Sequence, residues 1–354
     1  MKEMTSKERC LAVLEGKTPD VLPIVPQCFM FAVETAGMKI GNVNKSGRKM
    51  AEAHVISQGK YGYDGCVIDF DDATIAEAIG AKVIFRDDEP AIVDETQPVL
   101  KDLRDIYDLP LPDLSKGRLS EWLEATSILK EKIGDHVFIM GRADQGPFSI
   151  ACLLRGSAQF MMDLMTEDPQ VVADVIEYCR KSSAIFAKAQ KDAGADITSI
   201  GDAFAGPNLI SPEMYREFAF EPEKKLVEEV QAYGIPMSVH ICGNTNKIIA
   251  DMGQTHAKVL EVDWELDMEE ARKVVPEDTV LMGNIDPSYP LVLGTPQEVD
   301  LAVKNVIEKT RGKGHIVSSG CALGRNTPPE NLKALISATR KYGTYENIMA
   351  LNNQ

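Results

Sequence analysis

The sequence predicts a (β/α)8 barrel, on two observations. Eight short, near-continuously apolar runs recur along its 354 residues, and segments of helical period lie between them. A strand buried on both faces reads as an unbroken apolar run, and strand alternating with helix is the signature of parallel βα units. Eight units fit a chain of this length, since such barrels run from about 200 to over 400 residues. An open doubly wound sheet is the alternative. No GxGxxG follows the first apolar run, which weakens it.

In chain order, the start (MKEMTSKERCLAVLEGK) mixes charges through its apolar positions and reads as an amphipathic helix rather than a signal peptide. The eight strands are expected at 21–27 (VLPIVPQ), 66–70 (CVIDF), 137–143 (VFIMGRA), 197–202 (ITSIGD), 237–242 (MSVHIC), 259–264 (VLEVDW), 279–284 (TVLMGN) and 314–321 (GHIVSSGC). Residues 81–115 break the rhythm and read as a β-hairpin and loop inserted in the second βα unit. Helices are clearest at 214–234, opened by Ser211-Pro212-Glu213 and stopped at Gly234; at 296–314, with Thr295 as N-cap and Pro296 in the first turn; and at 328–343 after Thr327. No repeat, low-complexity segment or long linker is visible, so residues 1–354 are read as one domain.

The bulk numbers exclude whole classes of function. The formal net charge is −16. Nucleic-acid binding needs a basic footprint, and an anionic membrane surface would repel this chain. No stretch approaches the roughly 20 apolar residues that span a bilayer, so a cytoplasmic protein is expected. The seven cysteines are odd in number and widely spaced, which is no disulfide framework. Most are expected as small buried apolar residues.

In a barrel of this kind, chemistry gathers at the C-terminal ends of the strands. Asp69, Arg142, Asp144, Asp202, His240, Cys242, Asp263, Asn284, Asp286 and Cys321 are all expected there. His240 and Cys242 stand at i and i+2, so both side chains take one face of their strand. Cys321 arrives from the eighth strand and Asp263 from the sixth. Such a nitrogen and sulfur set suits zinc with three firm ligands and one replaceable position, Asp263 being a weak resting fourth ligand. A lone HxC is equally a core histidine beside a buried cysteine. The second cysteine at another strand end adds weight to a metal, and the residues alone leave both readings open.

The stretches SKERCLAVLEGKTPD, IAEAIGAKV, ISPEMYREFAFEP, VHICGNT, MGNIDP and SSGCALGRNTPPENLKAL, spread over nearly the whole chain, resemble the uroporphyrinogen decarboxylase superfamily. Within it they look most like the zinc-dependent corrinoid methyltransferases of the methylcobamide:coenzyme M type. The resemblance implies a barrel fold, zinc on His240, Cys242 and Cys321, and Asp263 completing the empty site. The decarboxylases of the superfamily carry no metal, and typically have a Gly-His pair where this chain has Gly320-Cys321. Their N-terminal arginine-bearing signature is missing from PIVPQCFMFAVETAG, and a tetracarboxylate substrate needs cationic clamps.

Two directions of methyl transfer follow. A zinc-bound thiol can accept a methyl group from a methylated corrinoid protein, which is ranked first because the His-Cys-Cys set matches the thiol-methylating enzymes. Alternatively, the chain demethylates a methoxy or methylamine compound onto cobalt(I), with zinc as Lewis acid. A decarboxylase and a non-catalytic zinc protein are the remaining readings. Structural zinc has four permanent ligands, and three firm ones are found here. The chain lacks a DxHxxG element; Asp135-His136 does not fit one. The corrinoid is therefore expected on a partner protein.

A sulfonate-tailed thiol calls for cations, for which Arg142 and Arg325 are nearest. A methoxyaromatic calls for an apolar slot, for which Phe29, Phe31, Phe148 and Phe204 qualify, though each also fits plain core. Asp69, Asp202 and Asn284 are candidate catalytic residues whose ordinary alternative is capping of loops and helices. Asp71-Asp72 and Arg86–Glu89 are expected on the solvated surface.

Overall fold

In a computed structural model describing residues 3–69 and 71–353, seven parallel strands follow one another around a single sheet. They are β1 (Gly65–Ile68), β4 (Phe138–Gln145), β5 (Ile197–Gly201), β6 (Met237–Ile241), β7 (Val259–Val262), β8 (Val280–Ile285) and β9 (His315–Ser319). β2 (Val83–Ile84) and β3 (Ile92–Val93) form a separate antiparallel pair. Each of the seven coincides with an apolar run that predicts it, although β1 begins one residue earlier and β4 and β8 end two and one residues later. Phe70, the last residue of the second run, lies outside the described residues.

The first predicted strand, 21–27, is reduced to two isolated bridges, a parallel one between Ile24 and Val317 and an antiparallel one between Val21 and Thr344. Pro23 and Pro26 cannot donate to a ladder, so a longer strand there is forbidden. The segment still closes the ring. Val25 N donates to Val317 O at 2.9 Å, and Val317 N to Pro23 O at 3.0 Å. On the other side Asp64 N donates to Ile24 O at 2.7 Å. The eighth stave is thus the weakest joined, and side chains reinforce it.

Side chains alternate along each strand. The lower interior holds Val67, Phe138, Met140, Ile197, Val259 and Val280 among others, and the N-terminal helix Ser6–Leu14 inserts Cys10, Val13 and Leu14 beneath them as a plug. That helix opens with a capping box between Thr5 and Glu8. Higher in the barrel the interior turns polar. Arg142 on β4 donates to Glu261 on β7 at 3.2 Å, and Ser238 on β6 donates to the same carboxylate at 2.9 Å. β4 and β7 are not neighbours in the sheet, so the arginine bond crosses the interior.

Outside the barrel, Pro296–Thr310 begins with the expected Thr295 cap, and Pro329–Tyr342 packs beside it. The predicted single helix at 214–234 is instead three pieces: Pro212–Met214, a wide π turn at Tyr215–Ala219, and Phe220–Ala232. Pro222 has no N–H to give residue 218, and the wide turn sits immediately ahead of it. The hairpin insertion is present, followed by a 3-10 helix at Leu103–Asp108. Its tip leans over the barrel mouth. Asp87 O accepts from Gly41 N at 3.0 Å, and Asp88 O accepts from Arg325 at 2.9 Å. Among the described residues, no helix is long and apolar enough to cross a membrane.

Asp64 fastens the weak seam. It is fully buried. It accepts from Ile24 N at 2.8 Å and from Arg340 at 2.8 Å, and pairs with Arg9 at 3.4 Å. It therefore ties the plug helix and the C-terminal helix Pro329–Tyr342 to the reduced stave. Asp64→Ala strands two guanidiniums and a backbone donor, so urea unfolding should show a loss of about 3 kcal/mol. Asp64→Asn, which keeps an acceptor for Ile24 N, should lose less.

Candidate metal centre

Strand periodicity delivers His240 and Cys242 to one place, as i and i+2 must. His240 is the penultimate residue of β6, and Cys242 follows the strand's end. Their Nε2 and Sγ atoms are 3.1 Å apart. Cys321, two residues beyond the end of β9, brings its Sγ to 3.9 Å from the same Nε2. The three donor atoms all lie within 4.8 Å of one another. These three could hold a metal ion.

Two glycines shape the approach. Gly243, directly after Cys242, has φ +81° and its N donates to an Asp263 carboxylate oxygen at 2.9 Å; a Cβ there would run into the Asn208 side chain. A left-handed φ of this kind favours glycine. Gly320, directly before Cys321, lies so close to the Trp264 backbone that a Cβ would meet it.

Beneath the histidine, Nδ1 lies 3.0 Å from Glu261 O. A carbonyl only accepts, so Nδ1 carries a proton and Nε2 is the ring nitrogen that faces the two cysteines. Burial pulls the His240 pKa down, but the hydrogen bond with Cys321 and the nearby Glu261 carboxylate outweigh it, and the imidazole is raised to about 9 in the metal-free chain. The Cys321 thiol is also raised, by its hydrogen bond with Cys242 and by burial.

Beside this cluster opens a cavity of about 210 Å³ whose wall includes Phe29, Met30, Asp69, Asp72, Arg142 and Gln145. Asp69 and Arg142 are thus placed in it as expected, and Phe29 lines it too. The Arg142 Nε is 3.1 Å from Asp69 Oδ2, and the guanidinium is held above its ordinary pKa by Glu261 and Asp69 against the pull of burial. Burial pushes Asp69 well above the usual carboxylate range. A bulge in β4 between Arg142 and Gln145 turns both residues to the cavity. Asp71-Asp72 is not uniformly solvated. Asp71 is buried and bonded to Arg118, and only Asp72 is exposed, at the rim.

The other expected site residues are placed elsewhere. Asp263 is buried near the cluster but outside it, its oxygens accepting from Gly243 N and Glu265 N. Asp202 is buried and accepts from Ser149 N at 2.7 Å and Ser149 Oγ at 2.5 Å, capping the helix Pro147–Arg155. Its backbone N also donates to His240 O at 2.8 Å, which steadies β6. Burial raises its pKa to about 6. Asn284 donates to Asp263 O and Leu266 O and clamps the loop after β7. Phe148 is core against Phe160, Phe31 is core against Tyr61, and Phe204 packs at the core's edge. Arg325 is exposed and spent on the hairpin tip.

Sequence reasoning missed Glu261, Gln145 and Asp72. Glu261 carried a signal, being a carboxylate in the middle of an apolar strand, VLEVDW, where an unpaired charge is forbidden.

The uroporphyrinogen decarboxylase (URO-D) family model matches residues 5–342. A protein named methylcobamide:CoM methyltransferase MtbA, from Methanosarcina mazei, is 30% identical over 349 residues, covering 97% of this chain and 99% of its own. A uroporphyrinogen decarboxylase from Myxococcus xanthus is 30% identical over 299 residues, covering 83% and 82%. A solved methyltransferase structure from Methanosarcina mazei matches with TM-score 0.87 at 26% identity, covering 96% of this chain and 99% of that one.

The His240 environment is testable without a metal. NMR titration of the metal-free chain should place this imidazole near pH 9. Because the folded value lies above the unfolded one of about 6.5, the group's stabilisation is fully present below that pH. It is lost as pH rises through about 9. Cys321→Ala should bring the midpoint down.

Proposed function

The chain belongs to the uroporphyrinogen decarboxylase family, and on that premise we propose that it is a corrinoid-dependent methyltransferase. In this reading His240, Cys242 and Cys321 hold zinc, and a methyl group passes from a methylated corrinoid protein to a small thiol. The observation that carries it is the cluster itself: three donor atoms of zinc-binding type within 4.8 Å at the ends of two strands. The relatives named methylcobamide:CoM methyltransferases, which match nearly end to end, support the same class. Decarboxylases are similar too. Against that chemistry, the cavity offers one guanidinium, already paired with two carboxylates, to a substrate that would need several.

The donor set fits the ion. Thiolate and imidazole suit zinc, and the Glu261 carbonyl commits Nδ1 so that Nε2 is free to ligate. Bound there, zinc would supply an open position at which a substrate thiol, with an ordinary pKa near 8.5, gives up its proton. The chain's own residues do the rest. Asp263 and Asn284 hold the loops that carry the ligands, as positioning residues. Asp69 and Arg142 form the charged wall, and Phe29, whose ring the Arg142 guanidinium overlies, adds apolar surface with Met30. The corrinoid partner would dock over the strand ends, where the cavity opens at Asp72.

Elemental analysis of the purified chain should find one zinc per chain. Cys321→Ser and His240→Ala should weaken zinc binding by at least about 100-fold and abolish thiol-dependent loss of the methyl-cobalt absorbance of methylcobalamin. Circular dichroism should show both variants folded. A zinc-free wild type that turns nothing over would return the chain to the decarboxylase chemistry of its family.

A further inference from the structure

We infer that Trp264 is the face on which the corrin ring of the methyl donor lands. The inference rests on the reading that the methyl group comes from a corrinoid. Size is the first observation. The cavity holds about 210 Å³, less than the roughly 300 Å³ at which pockets for drug-sized molecules begin. It has room for a small thiol and none for a corrin, so the macrocycle stays outside and its methyl group is brought to the donor cluster from the rim. The cluster can be reached from there, because Cys242 and Cys321 are both partly exposed. It also lies to one side of the mouth. Cys242 follows β6 and Cys321 follows β9, and in the sheet β7 and β8 lie between those two strands. A ring centred over the cluster must therefore cover the loops after β7 and β8.

The loop after β7 carries Trp264, 47% exposed, whereas the chain's other tryptophan, Trp122, is fully buried. A half-exposed indole is the kind of residue that anchors an interface. Its backbone is fastened to both cysteine-bearing segments. Asp263 and Leu266 close a turn around it, with Leu266 N donating to Asp263 O at 3.1 Å. The Asp263 carboxylate takes Gly243 N, next to Cys242, and the Trp264 backbone lies against Gly320, next to Cys321. Asn284 donates to Asp263 O and Leu266 O, and Asn246 donates to Glu265 O. A turn held in this way presents its residue without an ordering cost when a partner arrives. On the Cys242 side, Leu209 is 58% exposed, and Asn208 before it lies against Gly243. A flat indole, an aliphatic side chain and a neutral amide suit a corrin, whose ring is broad and largely apolar and whose edge carries carboxamides.

Calorimetric titration of the zinc-loaded full-length chain with cyanocobalamin tests this, because that corrinoid has no cobalt-bound methyl group to give and reports binding alone. Trp264→Ala should weaken binding at least about tenfold. Trp264→Phe, which keeps a flat ring, should retain most of the affinity. Ile92→Ser, at an exposed apolar position on the hairpin, should leave it unchanged. Zinc content should match the wild type in all three. Should Trp264→Ala lose zinc, Trp264→Gln, which keeps a long side chain beside Gly320, decides in its place. Unchanged affinity in the zinc-loaded variant overturns the inference, as does an equal loss in Ile92→Ser or a wild type that binds no cyanocobalamin. Turnover keeps the two ideas apart. If binding depends on Trp264 but no thiol demethylates methylcobalamin, the direction of transfer is wrong and the landing face stands. If thiols demethylate methylcobalamin with the same KM in Trp264→Ala as in the wild type, the methyltransferase reading stands and the landing face falls.

Discussion

Glu261 is a carboxylate with no exposure to solvent, standing inside a barrel, and much of the upper interior is arranged around it. Its side chain takes Arg142 from β4 and Ser238 from β6, and its backbone carbonyl takes the His240 ring. A buried charge is tolerated only when paired and hydrogen-bonded. Satisfying this one brings three strands into a single network. The arginine it requires reaches on to Asp69 and becomes the charged wall of the cavity. The histidine it orients becomes one corner of the donor cluster. Removing the carboxylate would therefore disturb the wall and the ligand together.

The same network explains why a lone arginine in the cavity is a poor sign of an anion site. Its charge is balanced internally by Asp69 and Glu261, although its Nε makes no hydrogen bond. Cation count along a sequence and cation availability in a pocket are different quantities. They diverge most where strands converge, because there a side chain can be claimed from across the barrel.

The donor cluster was legible in the sequence, for a geometric reason. Strand spacing makes i and i+2 share a face whatever the tertiary details, and a barrel brings strand ends to one rim. That spacing brought His240, Cys242 and Cys321 to one rim, while the residues alone left a metal site and a core histidine both open. The eight runs were legible for a similar reason: strands covered on both faces must be apolar. The first stave was legible as a buried run but not as a mere bridge, although Pro23 and Pro26 marked it. The break in the 214–234 helix was marked in the same way by Pro222. The roles of the polar strand-end residues were not legible. Asp202, Asp263 and Asn284 stand at strand ends just as Asp69 does, yet each is occupied with backbone groups of a neighbouring loop or helix.

By itself, then, the sequence determined the barrel, an N-terminal amphipathic helix, the hairpin insertion and the arrival of three donors at one rim. All of these follow from periodicity, capping and covalent spacing, which are local. Only the tertiary structure decided which polar groups face the cavity and which are already satisfied. It decided the fate of Arg142 and the exposure of Asp72 at the rim. A side chain's hydrogen bonds and counter-charges come from strands far away in the chain, and their assignment is made only when the barrel closes.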